Sequence, residues 1–454
     1  MAAAGTGSNP DMEIENDNKP YHHPKKKNLI FENEPSKTGR PPHKGATNSY
    51  FDRPTTEFHG GKRRRPVDED EDPDEGPMTG PPPGCPWMGH RNYSKMASEL
   101  WDFVDYISPT KEEHQIREYV VRLVRKTVKD LWSNADVVVF GSFDTMLYLP
   151  TSDLDIVLLR DGGFNKLDLN RLASHLRRSG IANEVTVISK AKVPLVKFKE
   201  SITGIPVDIS FNLTNGIDSG QVISTYINEI PALRPLTMLV KYFLMIKNHN
   251  EVYKGGIGSY TTVIMILSFL QMHPQIQVGN IDPMDNLGVL LIEFFELYGL
   301  CFNYTRVGLT VRDNGSYFEK KDMPTNHRSG RSGQAQKLLL SCIDPNDPTN
   351  DTAKGSYSLQ KIREVFAGAY GALTQARVSS SHVQFDDRNR VAADSKQKSS
   401  GLHRSTQVSL IKEVYQVPMH IIRHRQKIAK VFLDGTYQVM FGDPIVHSLD
   451  LKTV

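Results

Sequence analysis

The sequence predicts an α+β protein: a five-strand sheet module set between helical segments, behind a polar tail that does not fold. Three observations carry this. Residues 1–88 have no apolar period and are Pro-rich and charge-blocked. At Asp136 the apolar residues stop recurring every three or four positions and gather into short β-branched runs. From Gly220 to about Leu373 the helical spacing returns.

The tail contains Lys25-Lys26-Lys27, Lys62-Arg63-Arg64-Arg65, an acidic run from Asp68 to Asp72 and Pro81-Pro82-Pro83. Such a segment cannot bury enough apolar surface to offset its ordering entropy. Its two basic clusters fit nuclear-import signals. Folded sequence begins near Cys85-Pro86-Trp87. Met96 to Trp132 is helical, with Ile116, Val120, Leu123, Val124, Val128 and Leu131 on one face and a break at Pro109. Strands are predicted at Val137–Phe140, Asp153–Leu159, Glu184–Ile188, Val193–Phe198 and Pro206–Phe211, with a helix over Leu167–Ser179. Tyr260–Met272 is apolar on nearly all sides and predicts a buried core helix. Val378 to Thr406 reads as a flexible linker, and Val408 to Leu433 as a closing basic helix. The expected domains are a tail (1–88), a helical segment joining the central domain (89–133), a sheet module (134–218), a helical domain (219–375) and a linker with a C-terminal basic helix and tail (376–454).

The length of 454 residues exceeds what one core usually serves. A net charge of +3, from 55 basic and 52 acidic residues, excludes a histone-like polycation but leaves room for a basic groove. Cys85, Cys301 and Cys342 are too few and scattered for a disulfide framework or structural zinc, and fit reduced thiols in the cytosol or nucleus. No apolar leader and no run long enough to span a bilayer is present, so secreted and membrane classes are set aside.

Chemistry concentrates in Gly141-Ser142, Asp153-Leu154-Asp155 and Asp208. Two residues apart on a strand, Asp153 and Asp155 project from one face. Their repulsion and desolvation are relieved by a divalent cation, and hard oxygen ligands suit Mg²⁺ or Mn²⁺. Asp208, flanked by Val207 and Ile209, needs a compensating partner as well. Three strand carboxylates suggest a two-metal site for phosphoryl or nucleotidyl transfer. Gly141-Ser142 offers backbone N–H groups and a hydroxyl to an anion. Alone, each piece fits an exposed strand end, a salt-bridged edge residue or a simple turn; the ordered set is far more specific.

That ordered set resembles the DNA polymerase beta nucleotidyltransferase superfamily. Within it the chain resembles noncanonical poly(A) polymerases of the nuclear TRAMP type, through Phe140 to Phe143, Leu149 to Asp155, Leu233 to Leu236, Glu251 to Tyr260, Glu296 to Gly299, Asp344-Pro345 and Asn350-Asp351. The resemblance implies a catalytic palm with a mixed five-strand sheet, a helical central domain and a nucleotide cleft between them. Asp153, Asp155 and Asp208 match the family's metal triad, and Gly141 and Ser142 its phosphate contacts. Asn212, with Gly216 behind it, matches a sugar contact. Lys241 and Ser259 match triphosphate contacts, Tyr260 the base-stacking aromatic, and Asn350 and Asp351 the loop that reads the base edge. Read without the family, Lys241 fits a triphosphate or a solvated helix face, Tyr260 fits stacking or core packing, and the Asp344–Asp351 loop fits a turn-rich surface. Thr352 departs from the small apolar residue of relatives. Asn326 to Gly333 reads as a basic, Gly-rich loop that touches RNA.

The implied activity is template-independent polynucleotide adenylyl transfer from ATP to RNA 3′ ends, in nuclear RNA processing, surveillance and decay. The nuclear setting extends to the nucleolus, with some protein in the cytoplasm. Alternatives are a terminal uridylyltransferase, which favours a His near the base edge where this chain has none between Asp344 and Tyr357, and an inert RNA-binding scaffold. No zinc knuckle or aromatic RNA-binding motif occurs, so RNA affinity falls to a basic surface or to partners. The family suggests a zinc-knuckle protein and an RNA helicase.

Overall fold

The chain passes from one hydrophobic core to the other at the Pro109 break, ahead of the change of apolar period at Asp136. The structure, a computed structural model, describes residues 84–88, 95–191, 193–322, 338–393 and 409–444, with side chains for all but 377–393. All of these lie in the unit Val67–Val454. The basic and acidic clusters of the tail, the Asn326–Gly333 loop and the end of the predicted linker (394–406) fall outside the described residues.

Helix α1 (Met96–Ile107) ends at Ser108, and α2 (Lys111–Leu131) starts one residue past Pro109 and Thr110. Thr110 and Glu113 form a reciprocal capping box that fixes this restart. The two helices then part. Leu100, Phe103 and Ile107 of α1 join the helical core, whereas Ile116, Tyr119 and Val120 of α2 join the sheet core. The expected 89–133 unit is therefore divided between both cores.

The sheet holds β1 (Asp136–Phe140), β2 (Leu154–Leu159), β3 (Ala182–Ile188), β4 (Leu195–Glu200) and β5 (Pro206–Phe211), with α3 (Lys166–Arg178) crossing between β2 and β3. Its order is β1-β2-β5-β4-β3. Only β2 and β5 pair in parallel; the rest are antiparallel, giving the mixed sheet expected. Alternation sends Leu154, Ile156, Leu158, Val207, Ile209 and Phe211 into the core with α2 and α3. The opposite face carries Asp155 and Asp208.

Helix α4 (Asn215–Glu229) leads to α5 (Leu233–Ile246), α6 (Ser259–Met272), the short α7 (Pro274–Gln277) and α8 (Leu287–Glu296). Thr261 to Leu270 of α6 are all buried, as its all-round apolar sequence predicts. A hairpin, β6 (Val307–Thr310) and β7 (Ser316–Glu319), interrupts what was expected to be wholly helical. Its turn was legible: Asp313, Asn314 and Gly315 all have positive φ, a backbone that Asn-Gly favours. Helix α9 (Leu359–Ala393) runs well past Leu373 into the region read as linker.

Two terminal segments are packed, not loose. Trp87 stacks edge-on against Phe103 with centroids 4.6 Å apart, so the tail reading of 1–88 ends too late. Buried Glu99 accepts hydrogen bonds from Trp87 Nε1 (3.2 Å), Ser409 Oγ (2.5 Å) and Leu410 N (2.6 Å). Helix α10 (Met419–Leu433), followed by α11 (Thr436–Phe441), gives Ile421 to the helical core and Ile428, Val431 and Phe432 to the sheet core. Its Arg425 is 1% exposed and forks onto Glu113 at 2.7 and 3.0 Å. The three cysteines are free thiols. Among the described residues no helix is long and apolar enough to cross a membrane.

Removing one partner of a buried ion pair strands the other charge. Arg425→Ala should therefore lower unfolding stability by about 3–5 kcal/mol in a urea titration. A loss under about 1 kcal/mol, the value of an exposed pair, would show that α10 is not held this way.

Candidate active site

Parallel pairing of β2 and β5 sets Asp155 directly beside Asp208. Asp153 precedes β2 by one residue and leaves the same face. One carboxylate oxygen from each of the three lies within 4.8 Å of the others. All three are half-buried. Burial, reinforced by the neighbouring carboxylates, pushes Asp155 and Asp208 above the ordinary carboxylate range. Such a set of hard oxygen donors in one place fits a divalent cation.

Countercharges stand on two sides. Lys197 lies opposite Asp208 in the β4–β5 register, and its ammonium forms an ion pair with Asp208 Oδ2. Lys241, on α5, is buried; its Nζ donates to Leu147 O at 2.6 Å. Burial pushes its pKa down to about 8, while Asp153 and Asp155 hold it up.

Gly141 ends β1 beside the cluster. Its φ is +75°, and a Cβ there would lie 2.6 Å from Asp155 Oδ2. Both constraints require glycine. Gly141 and Ser142 form one wall of a cavity of about 290 Å³ whose other lining includes Asp153, Asp155, Lys241, Ser259 and Tyr260. Ser259 and Tyr260 open α6, so the positive end of that helix dipole faces the cavity wall. A larger groove of about 530 Å³ adjoins it, sharing Asp153, Lys241 and Ser259 and extending past Asn250 and Lys254.

Eight of the eleven predicted site residues thus come together: the three aspartates, Gly141, Ser142, Lys241, Ser259 and Tyr260. Asn212 is not among them. It lies four residues beyond Asp208 at the far end of β5, donates from Nδ2 to Phe164 O at 3.2 Å and lines a separate recess with Arg160 and Gly163. Gly216 of the same loop does line the cavity, together with Ser219. Asn350 and Asp351 stand outside it. Asn350 Nδ2 donates to Asp344 Oδ2 (3.0 Å), and Asp344 Oδ1 accepts the Tyr260 hydroxyl (2.9 Å). Asp351 is occupied as a brace: it accepts Ser341 Oγ at 2.8 Å, Cys342 N at 2.9 Å and Ala353 N at 3.0 Å.

Two contributors escaped the sequence reading. Lys197 sits in an ordinary alternating strand, and only the register places it opposite Asp208. Asp344 was noted as part of a family motif and of a turn-rich loop but given no role, yet it is buried and holds Tyr260. A lone buried Asp after Cys342-Ile343 was the available signal.

Residues 96–228 match a family model described as the central palm domain of poly(A) RNA polymerase, mitochondrial-like, and residues 286–350 match one described as Cid1 family poly A polymerase. Poly(A) RNA polymerase protein 2 of Saccharomyces cerevisiae is 40% identical over 312 residues, 67% of this chain and 53% of that protein. Poly(A) RNA polymerase cid14 of Schizosaccharomyces pombe is 40% identical over 318 residues, 68% of this chain and 45% of that one. The chain therefore spans about half the length of these relatives. A Drosophila melanogaster relative, 34% identical over 61% of this chain and 68% of its own length, bears the name inactive noncanonical poly(A) RNA polymerase. Among solved structures, the polymerase core of TRAMP, described as an RNA surveillance complex, superposes with a TM-score of 0.62 at 37% identity, covering 72% of this chain and 98% of that chain. On that coverage and identity, the chain belongs to the noncanonical poly(A) RNA polymerase family.

Proposed function

We propose that the chain transfers AMP from ATP to the 3′-hydroxyl of RNA without a template. The observation that carries this is the convergence of Asp153, Asp155 and Asp208 beside a cavity that also offers a buried ammonium, a glycine-serine turn and an aromatic ring. In the reaction the 3′-oxygen bonds to the α-phosphorus, the α–β phosphoanhydride bond breaks and pyrophosphate leaves. The three aspartates would hold Mg²⁺ or Mn²⁺, which when bound supply charge neutralisation at the phosphates and a more acidic hydroxyl.

The chain's own groups supply position and charge. Lys241 is aimed by Leu147 O, which takes one of its three donors, so the ammonium meets the triphosphate already oriented. Gly141, Ser142, Ser259 and the α6 N-terminus cradle phosphate oxygens. Tyr260 stacks on the base, its ring fixed through the bond to Asp344. The sugar lies against Gly216 and Ser219, not Asn212. Asp208, which stands beside Asp155 in the register, is the residue assigned to receive the hydroxyl proton. Asn350 supplies the base-edge contact, and Asp351 shapes its loop.

The name of the inactive relative means that family membership alone does not carry activity; the complete triad favours an active enzyme here. The TRAMP likeness supports nuclear RNA surveillance, within a complex where a zinc-knuckle protein and a helicase supply RNA affinity that the chain's own motifs lack. A uridylyltransferase remains the second reading. It is disfavoured by Asn350 at the base-edge position and by the lack of His between Asp344 and Tyr357.

Four outcomes test this. Asp155→Asn should reduce extension of an oligo(A) primer with ATP and Mg²⁺ to the no-enzyme level; retained activity refutes the assignment. The same variant should melt higher than wild type without metal. The folded state raises the pKa of Asp155, so it holds that proton more tightly than the unfolded chain, and stability is lost as pH rises through the raised value. The gap in Tm should widen from about pH 4 upward and close when Mg²⁺ is added; a pH-independent gap would contradict the electrostatic account. Gly141→Ala, which displaces Asp155, should cost about 100-fold in kcat/KM. With each nucleotide offered separately, ATP should be incorporated faster than UTP, and the reverse order would favour the uridylyl reading.

A further inference from the structure

The two most exposed aromatic rings among the described residues are neighbours. Tyr253 is 73% exposed and Tyr357 is 64% exposed. They belong to separate loops, yet the Tyr357 hydroxyl donates to Tyr253 O at 2.8 Å. The clamp is doubled beside it: Ser358 Oγ donates to Lys254 O and Ser358 N to Gly255 O, each at 3.0 Å. Gly255, with φ +83°, lets the loops close, since a Cβ there would come within 2.6 Å of the Tyr357 ring. Tyr357 is fixed in place by these bonds, while both rings keep most of their surface open.

The surroundings select the occupant. The Lys254 ammonium lies 5.2 Å from the Tyr253 ring centroid. Lys254 also lines the 530 Å³ groove, which runs on to Asp153 and Ser259. Exposed Lys354 and Lys361 flank Tyr357 in sequence. Glu251 and Asp153 are the acidic members of the groove lining, and they lie toward its catalytic end. Open rings interleaved with ammonium groups, continuous with a groove that reaches the carboxylates, match what single-stranded nucleic acid needs: a stacking surface for bases and cations for phosphates. A protein interface core would instead be depleted of lysine.

We propose that Tyr253 and Tyr357, with Lys254, form a platform on which nucleotides upstream of the RNA 3′ end stack while the end itself lies at the carboxylate cluster. This deepens the polymerase reading above and rests on it. The platform gives the chain an RNA contact of its own, independent of base identity because every base offers a ring face.

Fluorescence anisotropy with labelled oligo(A) of about 15 nucleotides, without ATP or metal, tests it directly. Tyr253→Ala should raise Kd about tenfold, Tyr253→Phe should bind like wild type because the ring remains, and Lys254→Ala should flatten the salt dependence. In primer extension, the Ala variant should raise KM for the long primer but leave KM for ATP and turnover on a two- or three-nucleotide primer unchanged. Wild-type affinity in both Tyr253→Ala and Tyr357→Ala, the result expected of rings kept for a protein partner, overturns the platform. So does a Tyr253→Phe defect as large as that of Tyr253→Ala. If wild type extends primers while the Ala variants bind RNA normally, the platform alone falls. If wild type neither binds nor extends RNA, the polymerase reading falls and takes the platform with it.

Discussion

The parallel pairing of β2 with β5 is the constraint from which the site follows. It forces Asp155 and Asp208 side by side, and Asp153 adds a third negative charge to a half-buried patch. A sheet left to itself would splay or protonate these groups. Here the far face prevents splaying: Leu154, Ile156, Leu158, Val207 and Ile209 are fully buried, so the strands cannot separate without exposing that core. Lys197 and Lys241 then reduce the repulsion from two directions. Lys197 remains partly exposed and touches Asp208, whereas Lys241 is enclosed and touches Leu147 O. Only the first resembles a counterion that a metal can displace at little cost. The second is held at a fixed point of the cavity wall.

The helical core delivers the groups that the sheet cannot. Lys241 comes from the buried middle of α5, and Ser259 and Tyr260 from the start of α6, two helices packed in one core. The relation of this core to the sheet is fixed by segments far apart in sequence. Helix α10 enters both cores and its Arg425 clasps Glu113 on α2, while buried Glu99 gathers Trp87, Ser409 and Leu410 within the helical core. The chain thus returns after residue 409 to stitch the elements it laid down before residue 132. A cleft whose walls come from different cores needs such ties, because its own polar lining contributes little cohesion.

What the sequence revealed follows physical range. Strands, the Pro109 break, the buried α6 and the clustered aspartates all rest on local periodicity or on charge set among apolar neighbours, and these were readable. What escaped depends on register or on contacts between distant segments. Lys197 gains its meaning only opposite Asp208, and Asn212, just past β5, lines a recess apart from the cavity. The hairpin at Val307–Glu319 was missed although Asp313-Asn314-Gly315 announces a turn, because helical sequence on either side dominated the pattern. The closing basic helix was read from the sequence, but its packing into both cores was not, because Arg425, a charged residue in sequence, is among the most buried side chains in the fold.

Nucleotide choice in the proposed reaction can be argued from one hydrogen-bond chain. Asp344 is buried and accepts from Tyr260 on one oxygen and from Asn350 Nδ2 on the other. Asp344 takes one of that amide's two N–H donors, which leaves its carbonyl oxygen as an acceptor. An acceptor suits the exocyclic amine of adenine and opposes the carbonyl that uracil carries at its edge, where leaving a polar group unpaired costs about 1–3 kcal/mol. Cytosine also carries an amine, so the amide alone does not separate it from adenine. That separation falls to Tyr260, whose ring is pinned by the same aspartate and overlaps a purine over more area than a pyrimidine. In the proposed reaction one buried carboxylate therefore braces both residues assigned to base selection, Asn350 at the polar edge and Tyr260 at the stacking face.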